Sequence, residues 1–271
     1  DSLSIAGGLS LVGKTLVGVE TLAVTGDLTL ETSQGLSGVT TVTLTGGAST
    51  DTLSIGVAVD GQTWLRTLPG GAQASDSLIP TALEMLAQAG TALPELDAIV
   101  FGRGPGSFTG LRTACAVAQG LAFGADLPVL PVDTLLAVAE EARQLAGAGD
   151  QSLTVLALLD ARMDEVYSAA YDWDGQRWAV RSPLQVGPPQ HVRLPDAPRV
   201  LLAGNAFAAY GERLPAGERV QALPTAAALL RLAPALFADG QAVPAEQAMP
   251  LYIRDKVAQT TAEREAAKGA T

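Results

Sequence analysis

The sequence predicts an α/β fold of two similar lobes with mixed sheets, preceded by a short β-rich extension, and three observations carry that expectation. From Ser49 onward, strand-like segments give way to helix-like ones, and the order then repeats. Apolar residues make up 48% of the 271 residues and charged residues 17%, enough to fill one large core or two small ones. The composition changes near residue 47, because residues 1–46 are rich in Thr, Ser, Gly, Leu and Val and carry few charges.

Residues 1–46 read as short alternating strands at 9–12, 15–19, 21–25, 27–30 and 40–45, broken by Gly13, Gly26, Gly38 and Gly46. The segment is similar to the degenerate repeats of tail-fibre and adhesin stalks. A disordered or loosely hairpinned extension and a misassigned gene start are the other readings. Residues 47–146 form the expected N-terminal lobe. It has a strand at 53–59, an Asp60-Gly61 hairpin turn into a strand at 62–68, and a helix at 77–89 with Pro80 in its first turn and Gly90 closing it. A short buried strand at 98–101 leads through a glycine loop to a helix at 108–123 ended by Gly124. A strand at 128–132 and a helix at 134–146 follow. Residues 147–257 form the expected C-terminal lobe, with an antiparallel meander at 153–159, 166–171 and 176–181, a Pro-rich connection at 183–198 and a strand at 199–203. A helix at 226–238 has Thr225 as its cap and a kink near Pro234. Residues 258–271 read as a frayed tail.

Bulk properties exclude several functions. A formal net charge of −11 makes the chain a poor stand-alone binder of nucleic acid, so a partner would have to supply positive surface. Cys115 is the only cysteine and His191 the only histidine. An intrachain disulfide, a Cys-based zinc site and a two-His metal site are therefore excluded. A lone cysteine fits a reducing cytoplasm. Arg231 interrupts the most apolar run, 226–238, so no membrane span is expected, and the start lacks the regions of a signal peptide.

The segment Gly102-Arg103-Gly104-Pro105-Gly106-Ser107-Phe108-Thr109-Gly110 lies between a strand and a helix. Glycines let several backbone N–H groups converge, and a helix N-terminus adds partial positive charge, so the loop reads as an anion or nucleotide cradle formed by Gly102, Arg103, Gly104, Gly106 and Ser107. The Walker pattern fails for want of lysine, and the Rossmann spacing fails at Ser107. A tight turn without ligand is the equal alternative, as is Arg103 capping the turn rather than binding an anion. Ser107 or Thr109 is the expected helix cap.

The following helix is apolar on two faces. Leu111, Cys115, Ala118 and Ala122 form one, and Ala114, Val117 and Leu121 the other. The helix at 77–89 carries a stripe of Leu78, Ala82, Met85 and Ala89. Such helices are either buried in their own domain or pack against another chain. The candidate partner interface is Leu78, Ala82, Met85, Leu111, Ala114, Cys115, Ala118 and Leu121. Asp160, Arg162, Asp164 and Glu165 make a charged turn, read either as a solvated hairpin with a local Asp160–Arg162 pair or as a ligand or partner contact between the lobes through Asp160, Arg162 and Glu165. His191 is expected at the surface, and Trp64, Trp173 and Trp178 in packing.

The segments GRGPGSFTGLR (102–112), QGLA with Gly124 (119–124), DARMDEVY (160–167) and PLYIR (250–254) together resemble the TsaB (YeaZ) family over residues 47–255. The resemblance implies an actin-like two-lobe fold and a non-catalytic subunit. That subunit pairs with the catalytic TsaD through the two apolar helices, in a complex that also needs TsaE and ATP and forms threonylcarbamoyladenosine beside the tRNA anticodon. A homodimer of the isolated chain is a further arrangement the same helices allow. The catalytic relative carries a His-x-x-x-His metal motif after the strand that corresponds to 128–132. Thr134 and Val138 stand there, so neither a metal nor a catalytic residue is expected. The family's first strand ends in an Asp-Thr turn, where this chain has Gly47 and Ala48, and Ala74 replaces a common histidine. An independent actin-like ATPase or kinase is the competing reading, and Gly47 weakens it. An adhesive protein whose function lies in residues 1–46 is the third.

Overall fold

The computed structural model describes the backbone of residues 2–6, 9–12, 21–25, 28–31, 41–46, 52–69 and 74–254, and side chains at 52–69 and 77–254. The expected strand at 15–19, Gly47, Ala48, the side chain of Ala74 and the tail 258–271 lie outside the described residues. In the extension, β1 (Ser2–Ala6) pairs in parallel with β3 (Thr21–Thr25), and β2 (Leu9–Val12) with β4 (Leu28–Glu31). Ser2 sits opposite Thr21 and Leu9 opposite Leu28.

The next strand, β5 (Thr41–Gly46), does not belong with these four. It is the middle strand of a five-stranded sheet, antiparallel to β6 (Thr52–Val59) and parallel to β8 (Ala98–Gly104). β7 (Gln62–Pro69) closes one edge through the Asp60-Gly61 turn, both residues at positive φ, and β9 (Val129–Asp133) closes the other. The sheet order is β7-β6-β5-β8-β9. The second sheet repeats this plan in the order β12-β11-β10-β13-β14. It consists of β10 (Leu153–Arg162), β11 (Glu165–Trp173), β12 (Trp178–Gly187), β13 (Val200–Gly204) and β14 (Glu218–Gln221). In each sheet the first strand in sequence is central, with an antiparallel hairpin on one side and two parallel strands on the other.

Among the described residues five α-helices cover these sheets: α1 (Ala74–Ala89), α2 (Phe108–Ala125), α3 (Thr134–Leu145), α4 (Phe207–Tyr210) and α5 (Ala226–Ala238). The two-residue period of a strand sorts each sheet's side chains to opposite faces. On β8, Ile99 and Phe101 point into one cluster with Leu78, Met85 and Ala118 of α1 and α2. Val100 points the other way, against Leu229 and Ala233 of α5. On β10, Val155, Ala157 and Leu159 meet α3, while Leu156 and Leu158 meet Tyr210 and Leu214. Residues 153–159 are buried on both faces, which is why they form an uninterrupted apolar run. Packing does not follow the division at residue 146. α3 lies on the second sheet, α5 returns to the first, and the two helices touch between the sheets.

A buried ion-pair network fastens that middle layer. Glu140 on α3 accepts from Arg143 Nε and Nη2 (2.8 and 2.9 Å), Arg231 Nε of α5 (2.7 Å) and Trp178 Nε1 (3.0 Å). Burial alone would raise the Glu140 carboxyl, but the bonds from Arg143, Trp178 and Arg231 and the Arg143 charge hold it below its ordinary range. Neighbouring Glu141 accepts from Arg231 and from the Thr225 hydroxyl. The Thr225 oxygen also caps α5 by accepting from the Ala228 N–H at 3.0 Å, as the sequence predicts.

Several expected boundaries shift. α1 begins at Ala74, so Pro80 lies inside the helix rather than in its first turn. α2 runs through Gly124 and ends at Asp126, whose φ of 56° supplies the left-handed cap expected of glycine. The Pro-rich connection begins as strand, since β12 extends to Gly187, and β14 and α4 have no counterpart in the sequence reading.

Candidate functional site

The glycine motif is built differently from the expected loop. β8 continues through Gly102, Arg103 and Gly104, so only Pro105, Gly106 and Ser107 separate strand from helix. Close packing requires glycine at 104 but not at 102. A Cβ on Gly102 would meet the Thr134 hydroxyl at 3.5 Å. One on Gly104, at φ +124°, would meet the Leu251 carbonyl oxygen at 2.7 Å. The Gly104 N–H donates to Thr134 Oγ1 at 3.1 Å, and Arg103 Nε donates to Asp133 Oδ1 at 2.6 Å. Ser107 is the helix cap, its Oγ 3.5 Å from the Gly110 nitrogen. Of the five residues expected to cradle an anion, Gly106 and Ser107 line the cavity at this end of α2, and Gly102, Arg103 and Gly104 are not among its lining residues. Arg103 is committed to Asp133.

That cavity is a cleft of about 280 Å³ between the two sheets' loop ends. Residues 105–108 and Leu111 form one wall, residues 160–163 and Tyr167 a second, and the strap Leu251-Tyr252-Ile253-Arg254 a third. The charged turn contains the local pair expected of a hairpin and also lines the cleft. Asp160 pairs locally with Arg162 (3.2 Å), and the turn also faces the other sheet's loop. Arg162, Met163 and Asp164 all have φ between 55° and 62°, a left-handed run unusual for residues with a Cβ. The turn is held in that shape by its neighbours. Asp160 Oδ1 accepts from the Arg162 N–H (2.8 Å) and the Tyr210 hydroxyl (2.7 Å), and the Asp160 N–H donates to Asn205 Oδ1 (2.9 Å). Burial, the bond to Asp160 and the nearby negative charge push the Tyr210 hydroxyl up to about 12. Arg213 forms a two-pronged pair with Asp164.

The sequence reading gave Tyr252 and Arg254 no role, although both stand in the quoted PLYIR segment. Arg254 Nη2 donates to Glu165 Oε2 (2.5 Å) and the Ala161 carbonyl (3.0 Å). Arg112 stacks over the Phe108 ring at 3.7 Å and donates through Nε to the Tyr252 hydroxyl at 3.1 Å. Three arginines of the site, Arg103, Arg162 and Arg254, each face a carboxylate of their own, so the cleft's charges are largely satisfied internally.

The helix face expected to meet a partner is corrected in detail. Leu78, Ala82, Met85, Leu111, Ala114, Cys115 and Ala118 point inward and are buried in the first lobe's core, and Leu121 is half-buried. A strand-covering helix must spend its apolar stripe on the sheet, so these seven cannot also reach another chain. The outer face of α1 and α2 carries Ile79, Leu83, Phe108, Ala116, Gly120, Phe123 and Gly124 instead. Phe123 is 80% exposed, and a Cβ on Gly120 or Gly124 would meet nothing within 4 Å. Burial raises the Cys115 thiol, whose Sγ lies 3.4 Å from the Ala248 carbonyl. Thr134 and Val138, at the positions of the metal histidines in the catalytic relative, are both buried. Trp64, Trp173 and Trp178 pack against the cores and His191 is exposed, as expected.

The chain is similar to known proteins over most of its length. The family model described as "TsaD: tRNA N6-adenosine threonylcarbamoyltransferase" matches residues 70–195. The "tRNA threonylcarbamoyladenosine biosynthesis protein TsaB" of Haemophilus influenzae is 37% identical over 192 residues, covering 66% of this chain and 79% of that protein. Its Escherichia coli counterpart is 38% identical over 196 residues, covering 67% and 80%. The solved structure of YeaZ from Pseudomonas aeruginosa superposes with a TM-score of 0.72 at 37% identity, over 79% of this chain and all of that one.

Proposed function

The chain belongs to the TsaB family of tRNA threonylcarbamoyladenosine biosynthesis proteins, and from that premise we propose that it is the non-catalytic scaffold subunit that pairs with a TsaD-type catalytic subunit. The observation that carries this reading is the outer face of α1 and α2. It presents Ile79, Leu83, Phe108 and Phe123 around small residues at Ala116, Gly120 and Gly124, with Arg112 and Glu84 as charges on it. An exposed apolar face with gaps for close helix approach is suited to a second helical pair. The repeated strand order of the two sheets supports an actin-like two-lobe architecture, whose first lobe takes in β5 and so begins before residue 47, and whose lobes exchange α3 and α5 across their junction.

In this reading TsaE and ATP act on the assembled complex, and tRNA is held by it rather than by this acidic chain alone. The complex works in the cytoplasm, and a homodimer through the same face is the arrangement of the isolated chain. The test is gel filtration of an equimolar mixture with a TsaD-type subunit, before and after Gly120→Arg and Phe123→Asp. A heterodimer that forms with the wild type and is lost with both variants supports the proposal. Magnesium-dependent ATP turnover by the chain alone would support an independent ATPase instead.

A further inference from the structure

The segment that follows α5 does not trail off but crosses from one lobe to the other. At its start, the Ala248 carbonyl accepts from Gln119 Nε2 of α2 (2.9 Å). The Leu251 N–H then donates to the Arg103 carbonyl (2.7 Å), which lays the strap's backbone directly over Gly104. Tyr252 packs its ring against Phe108 at 5.6 Å and takes the Arg112 hydrogen bond. All of these contacts are with the first lobe. Two residues later every contact of Arg254 is with the second lobe. Its guanidinium reaches Glu165, the Ala161 carbonyl, Met163 Sδ (3.5 Å) and the Tyr167 ring (6.0 Å to the centroid). The Arg254 side chain is 16% exposed, so this end is inserted rather than draped.

We propose that residues 250–254 are an inter-lobe latch: a length of the chain's own backbone seated on Gly104 at one end and plugged by Arg254 into the turn 160–165 at the other. The latch accounts for two features that an anion cradle leaves unexplained. The second glycine of the signature motif has to be glycine because the Leu251 carbonyl occupies the space a side chain would need. The left-handed run Arg162-Met163-Asp164 turns the Ala161 carbonyl and the Met163 sulfur onto one guanidinium. The latch also couples the two elements that face each other across the cleft. The loop 105–108 and the turn 160–163 have the strap as their shared third wall, so the width of the cleft depends on its seating.

The coupling is tested by amide hydrogen exchange on the full chain, comparing wild type with Gly104→Ala and Arg254→Ala. The substitutions lie at opposite ends of the strap. Gly104→Ala should accelerate exchange at least tenfold in residues 160–165, in the lobe it does not touch. Arg254→Ala should do the same in residues 102–107. The centres of β8 and β10 should stay as protected as in the wild type. Should either variant fail to fold, Glu165→Gln, which weakens the Arg254 plug without altering the strap, must shift residues 102–107 in the same direction. Acceleration confined to the substituted end in each case would overturn the latch, leaving the strap a passive extension of the first lobe.

Discussion

Replacing Glu140 by alanine should be among the most destabilising single changes in the chain. Glu140 is 2% exposed and accepts four hydrogen bonds, two from Arg143, one from Arg231 and one from Trp178. Its removal leaves Arg143, itself 5% exposed, with the Gly149 carbonyl and the Trp173 ring as its remaining contacts. Breaking a buried pair by deleting one partner costs about 3–5 kcal/mol, because the desolvated charge left behind is uncompensated. A domain is stable by about 5–15 kcal/mol in total, so Glu140→Ala should remove about a fifth of the margin or more. Urea unfolding followed by tryptophan fluorescence is the assay, with Trp173 and Trp178 placed to report on the network. Arg162→Ala is the control. Its pair with Asp160 is 73% exposed on the arginine side, and such pairs contribute about 0–1 kcal/mol. A Glu140→Ala variant within about 1 kcal/mol of wild type would refute the claim that this network fastens α3 to α5.

Three further outcomes are expected. Removing residues 1–38 should leave a soluble protein, whereas removing 1–46 should not, because β5 is hydrogen-bonded on both sides at the centre of the first sheet; soluble expression and circular dichroism decide it. Urea midpoints should hold from neutral pH down to the ordinary carboxylate range and fall below it. The folded Glu140 pKa lies beneath its unfolded value, so its contribution is present above the unfolded pKa and lost as the pH drops through the folded one, and Glu140→Gln should flatten that fall. At the alkaline end the Tyr210 contribution, present below its unfolded pKa, should be lost as the pH rises towards about 12, a loss absent from Tyr210→Phe. Thr225→Ala should cost about 1 kcal/mol in the same urea assay, through loss of the α5 cap.

Much of the architecture was legible because it rests on periodicity. The run 153–159 is apolar at every position since both faces are covered, and Asp60-Gly61 supplies the positive φ of a two-residue turn. β14 was missed because Glu218-Arg219-Val220-Gln221 is an edge strand with three exposed residues and no apolar alternation to betray it. The segment 40–45 reads as a strand, yet its central place comes from pairing with residues up to 57 positions away, which no local pattern records. At the site, the glycine motif and the charged turn were both found, but their connection was not. Arg254 lies 89 residues from Glu165 and 91 from Met163, and its role exists only once the strap has crossed the cleft. The partner stripe erred for a physical reason. Periodicity shows that a helix has an apolar face but not which of two faces meets the sheet, and here the outward face carries Ile79, Leu83, Phe108 and Phe123 beside glycine and alanine.

The central claim is that α1 and α2 offer their outer face to a TsaD-type subunit. Isothermal titration of that subunit with wild type, Gly120→Arg and Leu78→Ala measures it most directly. The account predicts saturable binding at one-to-one stoichiometry, at least a hundredfold weaker binding for the exposed Gly120→Arg, and unchanged affinity for any folded Leu78→Ala, whose side chain is wholly buried. No binding by the wild type, or binding indifferent to Gly120→Arg, would contradict it.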